Sequence, residues 1–443
     1  MIDHEEATQR PPALPVELTN LIIDFLVEEP TSTSTHRISD IIKRSALLPG
    51  SRRALAASSL VARSWLPRAR CHLFRCLTNP HDRYLDILWD LIKHPLSTFS
   101  TEVVKTIRLQ RHRSEINAFL LWCGALKPVS ANGDIVFKAV QNLIVEVRDF
   151  TEDLTPEGRQ VLYTDFPMTT RLCLARTNFQ THDQVACLLS SFPSLEVLFL
   201  HDIHIVQSYS STPSLHALPT SVRVIEIESW EDEELEDRQL LPILVPLSNN
   251  IQTFRFRTSC QCPVVVILFA AVVLGAVAVN LECLEIETNY PARSTPELKE
   301  LFSHLYSFTN CRSLHHVKLH IEALEAPWLQ PLLSSLPQAS LKSLEVPFLL
   351  QYTIDATVLD EILVSFPYLE CLKYNVPVLF IRDEKQMIGK GTDPLSDGTY
   401  GEAAREGTSL WAKMNSEIEC SFTRFPKCWE RGILKPVVKF RSI

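Results

Sequence analysis

Residues 191–200 read Ser191-Phe192-Pro193-Ser194-Leu195-Glu196-Val197-Leu198-Phe199-Leu200, and residues 365–372 read Ser365-Phe366-Pro367-Tyr368-Leu369-Glu370-Cys371-Leu372. The two stretches are near-copies, and each carries an apolar-x-x-apolar-x-apolar signature that starts at its leucine. The signature recurs at Val104/Ile107/Leu109, Val140/Leu143/Val145, Val222/Ile225/Ile227, Ile251/Phe254/Phe256, Leu281/Leu284/Ile286, Leu314/Val317/Leu319 and Leu341/Leu344/Val346. The copy at Leu369 ends on Tyr374, and a degenerate copy sits at Thr169/Leu172/Leu174. Successive starts are 36, 29, 26, 27, 29, 30, 33, 27 and 28 residues apart, intervals that a chance scatter of leucines does not keep. Between signatures the spacing turns helical, as in Leu298, Leu301, Phe302, Leu305, Phe308 and in Leu359, Ile362, Leu363, Phe366. One strand and one helix per repeat predict stacked units with a parallel sheet, because no single unit buries its apolar face alone. The predicted fold class is α+β in the form of an α/β repeat.

The 443 residues carry 43 basic and 52 acidic side chains, a net charge of −9. That balance argues against a dedicated nucleic-acid binder, which needs a basic face to neutralise phosphates. An apolar fraction of 46% with 21% charged residues fits a packed protein and excludes global disorder. Asp3, Glu5 and Glu6 stand where a secretory signal would be apolar, so none is expected. The 12 cysteines are scattered, several inside apolar runs, and read as small buried hydrophobes of a reducing compartment. The expected localisation is cytoplasmic or nuclear.

Upstream of the repeats, Leu14, Leu18, Leu21, Ile22, Phe25 and Leu26 fall at helical spacing, and Pro15 suits a first helical turn. Residues 28–50 interrupt this pattern with Pro30, a Ser/Thr alternation and Pro49-Gly50, and read as an insertion. A second helix is expected over 51–65, stopped by Pro67, and a third over 68–77. Residues 1–12 read as a disordered start, 78–100 as a helical linker, and 101–375 as the solenoid of about ten repeats. Residues 376–443, with five glycines between 389 and 407, read as a flexible loop followed by a C-terminal cap.

Leu14-Pro15-x-Glu17-Leu18 followed by Leu60-Val61-Ala62-Arg63-Ser64-Trp65 resembles the F-box, of the type found in fungal F-box/leucine-rich-repeat families. The match covers residues 13–77, and leucine-rich repeats cover about 100–375. The resemblance implies a three-helix module followed by a leucine-rich-repeat solenoid, with no catalytic activity and no cofactor. It implies docking on the Skp adaptor of a cullin–RING ubiquitin ligase, with Leu14, Pro15, Leu18, Ile22, Leu60, Val61 and Trp65 as the adaptor-binding face and the repeats holding a protein substrate. The departure from the family is the insertion at 28–50, where a short turn is usual. The rival reading is a repeat scaffold that binds a partner without any ligase.

In such repeats the residue between the second and third apolar positions faces away from the core. From the copy at Leu195 onward that position holds Phe199, Glu226, Arg255, Glu285, Lys318, Glu345 and Lys373, so the sign alternates from Glu226 on. These residues are the candidate substrate-binding surface, and equally a ladder of self-satisfied charges. The acidic run 228–237 reads as a solvated loop or as a trap for a basic segment. Residues 263–279 are apolar without interruption and as a helix span about 25 Å, short for a bilayer core. The repeat interval around them argues for a repeat helix instead of a membrane anchor. His201, His204, His315, His316 and His320 read as surface histidines, and no metal is expected. No nucleophile elbow or phosphate-binding glycine loop is present.

Overall fold

A computed structural model describes residues 14–26, 49–79, 84–94, 101–110, 113–125, 137–207, 218–229, 250–258, 280–288, 308, 311–321, 333–334, 336–346, 356–380 and 425–442. Residues 1–12, residues 28–48 of the 28–50 insertion, the apolar stretch 263–279, residues 298–307, and the glycine-rich part of the 376–443 region lie outside the described residues, while Pro49 and Gly50 of that insertion open a helix. The chain forms two compact units, the first running to Phe179 and rejoined by Leu188–Leu195, the second made of Gln180–Cys187 and the chain from Glu196 on.

The first unit contains helices α1 (Val16–Phe25), α2 (Pro49–Val61), α3 (Leu66–Phe74), α4 (Leu85–Lys93), α5 (Arg113–Ala125), α6 (Phe150–Asp153) and α7 (Pro156–Thr164). Its strands are β1 (Cys76–Thr78), β2 (Thr106–Gln110), β3 (Asn142–Glu146) and β4 (Arg171–Thr181), each paired in parallel with the next. Helix α8 (His182–Ser190) follows. The second unit carries β5 (Val197–Gln207), β6 (Val224–Ser229), β7 (Thr253–Thr258), β8 (Cys283–Thr288), β9 (His316–Ile321), β10 (Ser343–Val346), β11 (Cys371–Phe380) and β12 (Leu434–Ser442). These too pair in parallel and in chain order, with helices α9 (Ala356–Val364) and α10 (Pro426–Glu430) beside the last rungs.

All ten predicted repeats carry a strand, and each strand begins two residues after its signature starts. The reason is local. At four of the starts the first residue closes a turn onto a phenylalanine three before it: Val140 N–H donates to Phe137, Thr169 to Phe166, Leu195 to Phe192 and Leu369 to Phe366. Those four phenylalanines are buried, which explains why the Ser-Phe-Pro approach recurs: Phe fills the core under the turn. The next residue then offers one carbonyl to two N–H groups of the following repeat. Glu196, Arg223, Gln252, Glu282, His315 and Lys342 each accept such a pair. The clamp fixes register, and register keeps every first and second apolar position buried.

Three expectations shift. Pro67 does not stop α2, which ends at Val61; it sits in the first turn of α3, where a missing N–H costs nothing. Residues 76–78 form β1 in place of the end of a helix, pairing with 106–108, a strand too short to show alternation in sequence. The repeat also does not end at 375, because β11 runs to Phe380 and β12 adds another rung.

Candidate functional site

In the three-helix segment, Ile23 of α1, Leu55 of α2 and Ala69 of α3 form a small core, with Leu26, Trp65 and Leu73 packed against it. Asp24 ties α1 to α3. Its carboxylate accepts hydrogen bonds from Arg68 Nε at 2.7 Å and Nη2 at 2.8 Å, and His72 Nε2 lies 2.8 Å away. The Arg68 guanidinium holds the Asp24 carboxyl down at about 2.

With the inner face so occupied, the remaining apolar residues point outward. Leu14, Leu18, Ile22, Leu60 and Val61 are exposed, and Pro15 with them. Trp65, expected on the same face, is instead half-buried against the Ile23 cluster. Val16, Leu21 and Phe25 are also exposed, Phe25 at 68%. None of these three was among the contact residues expected from the family pattern. Their signal was available in the helical spacing, since only Thr19 and Ile23 of α1 are buried.

The second site is the charged row of the second unit. Phe199, Glu226, Arg255, Glu285, Lys318, Glu345 and Lys373 are register partners in unbroken succession from β5 to β11. They do not form an open charged surface. Phe199, Glu226, Lys318 and Glu345 are buried, and Arg255, Glu285 and Lys373 are half-buried. Arg255 Nε donates to Glu285 at 2.8 Å and its Nη1 lies 3.8 Å from Glu226, while Lys318 is 3.9 Å from Glu285. The pairs are partly desolvated, so their worth depends on staying paired.

A second charged row, absent from the sequence reading, runs two residues further along the strands: Glu228, Arg257 and Glu287. Arg257 donates to Glu226 at 2.7 Å and to Glu287 at 3.2 Å, stitching the two rows together. Strand alternation was its signal, since residues two apart share a face. Glu228, read as the start of an acidic loop, belongs to buried β6, and burial raises its carboxyl above the usual range. Residues 231–237 of that run lie outside the described residues.

His315 is exposed, as expected of a surface histidine, but His316 is not: it is half-buried beside Cys283. Cys283, Glu285 and His316 place a thiol, a carboxylate oxygen and a ring nitrogen within 4.8 Å of one another. A search for contiguous ligand motifs cannot find this group, because His316 stands one repeat beyond Cys283 and Glu285 in sequence. Burial pushes the Cys283 thiol up to about 11, with Glu285 adding to the rise, and holds the His316 imidazole below its ordinary value.

Arg176 and Asp202 have positive φ, 51° and 48°, each seven residues past its repeat's start. Among the described residues no helix is long and apolar enough to cross a membrane. No known family model matches the sequence, and no curated protein is significantly similar to it.

Proposed function

We propose that this protein is the substrate-recognition subunit of a cullin–RING ubiquitin ligase of the Skp–cullin–F-box type. Its three-helix segment is the F-box that docks the Skp adaptor, and its α/β repeats are leucine-rich repeats that hold a protein substrate. The observation that supports this most is the outward placement of Leu14, Leu18, Ile22, Leu60 and Val61 on a segment that already has a core of its own. Exposed large apolar side chains in such number mark a partner site more often than a free surface. The role requires no catalytic group. Holding substrate beside the ligase supplies proximity, which converts a bimolecular transfer into an effectively unimolecular one.

Affinity capture of the full chain tests the reading: an Skp adaptor and a cullin are expected to co-purify. The double variant Leu14→Ala, Pro15→Ala should lose both partners while far-UV circular dichroism stays unchanged. Undiminished adaptor recovery with the variant overturns the ligase role. If the native chain captures neither partner, the scaffold reading takes its place.

A further inference from the structure

Away from the helical segment, three chemically unlike donors converge on one face of the β8–β9 pair. Cys283 and Glu285 are two residues apart on β8, so strand alternation sends both side chains to the same face. His316 is the register partner of Cys283 on β9. Neighbouring strands lie about 4.8 Å apart, within reach of one side chain for another. Cys283 Sγ is 4.0 Å from Glu285 Oε1, and all three donor atoms fall within 4.8 Å of one another. A tetrahedral ion bonded at about 2.0–2.3 Å places its ligand atoms about 3.5 Å apart. The donors therefore need to close by only about 1 Å, a rotamer adjustment on a fixed backbone.

We propose that Cys283, Glu285 and His316 form a binding site for a zinc-class divalent transition-metal ion. The donor set selects the class. Magnesium and calcium take oxygen ligands throughout, whereas a thiolate with an imidazole suits zinc and its neighbours. On binding, the Cys283 thiol gives its proton to solvent and the sulfur bonds the metal as thiolate. The surrounding cations tolerate the exchange. Arg255, which bonds Glu285, also lies 3.8 Å from Glu226, and Lys318 has Glu345 as its register partner on the other side. Turning Glu285 toward the ion thus leaves each cation beside another carboxylate. Three protein donors leave a fourth coordination position open. The site goes beyond the ligase reading and does not depend on it.

The test uses the full chain, stripped with chelator and titrated with cobalt(II) as a spectroscopic substitute for zinc. One equivalent is expected to bind with a thiolate-to-cobalt charge-transfer absorption, and zinc should displace it. Cys283→Ala should abolish that absorption, and His316→Gln should weaken cobalt binding at least about 10-fold, in line with losses seen even for outer-shell partners. Cys187→Ala on α8 should behave as the native chain. Thermal melts check that the variants fold; should Cys283→Ala fail, His316→Gln, at a half-buried position, decides alone. Failure of the native chain to bind cobalt, or binding that His316→Gln leaves unchanged, overturns the proposal.

Discussion

Leu60 on α2 is 87% exposed and Glu226 on β6 is 0% exposed, the reverse of how leucine and glutamate usually divide between surface and interior. Each inversion has its own explanation. In the helical segment, Ile23, Leu55 and Ala69 fill the interior with Leu26, Trp65 and Leu73 packed against them, and the remaining large apolar residues of the first two helices face out. In the second unit, the first and second apolar positions of the repeats of β5 to β11 are buried, so the charged positions meet their register partners on neighbouring strands. An exposed leucine costs the fold little but leaves a surface that a partner can cover. A buried glutamate costs the fold a great deal unless its arginines stay in place. The first inversion is a statement about binding, the second about stability.

The sharpest way to break this contrast is to remove one buried charge. Glu226→Ala leaves Arg257, whose Nη1 it holds at 2.7 Å, with Glu287 alone, and deprives Arg255 of one of its two carboxylates. A loss of about 4 kcal/mol is expected in denaturant unfolding. A loss below about 1 kcal/mol would mean that water reaches the row and that it is an ordinary exposed ladder.

Next in size, Leu55→Ala empties the centre of the helical segment and should cost about 3 kcal/mol. Asp24→Asn should cost less, about 1 kcal/mol at most, because the Asp24 side chain is 42% exposed and water screens its pairs. The sign of its pH dependence follows from the lowered carboxyl. The tie is fully present above the ordinary aspartate value near 4 and fades as pH falls toward 2. Melting of the native chain should therefore lose a small increment across that window that Asp24→Asn lacks. Equal acid sensitivity of the two proteins would remove Asp24 from the account.

The smallest stability change belongs to Leu60→Ser with Val61→Ser, expected within about 0.5 kcal/mol of the native chain. The same variant should lose the adaptor in affinity capture. If it costs as much as Leu55→Ala, the outward face is core and the contrast between the two regions collapses.

The strands were legible because their signal is redundant. Each signature fixes at least two buried positions, and ten copies at similar intervals correct one another even where Thr169 stands for a leucine. β1 was not legible, since three residues cannot display a period. The first charged row was legible as an alternation of sign, but its burial was not, because exposure depends on what lies across the sheet. The second row and the Cys283–Glu285–His316 group depend on register between strands one repeat apart. That register is set by backbone clamps at Arg223, Gln252 and Glu282, about which side-chain identity says nothing. Trp65 was misplaced for a related reason: a motif names the residues of a face without saying which of them turn inward.

Most rungs of the second unit join positions about thirty apart, as Arg255 to Glu285. The last rung does not. β11 pairs with β12 through Leu372 and Leu434, and the buried carboxylate of Asp360 receives the N–H groups of Lys427 and Cys428, 67 and 68 positions away. Closing so long a loop is cheap at equilibrium, since each doubling adds only about 0.6 kcal/mol. In time it is expensive. At about 5–20 residues per second of synthesis, the two donors reach the ribosome's exit several seconds or more after Asp360 does. Through that interval the earlier rungs can stack while Asp360 stays hydrated and β11 keeps an open edge. The final rung is thus a closing event, separate from the propagation of the repeat, and pulse-labelled hydrogen exchange should show the β11–β12 seam protected last.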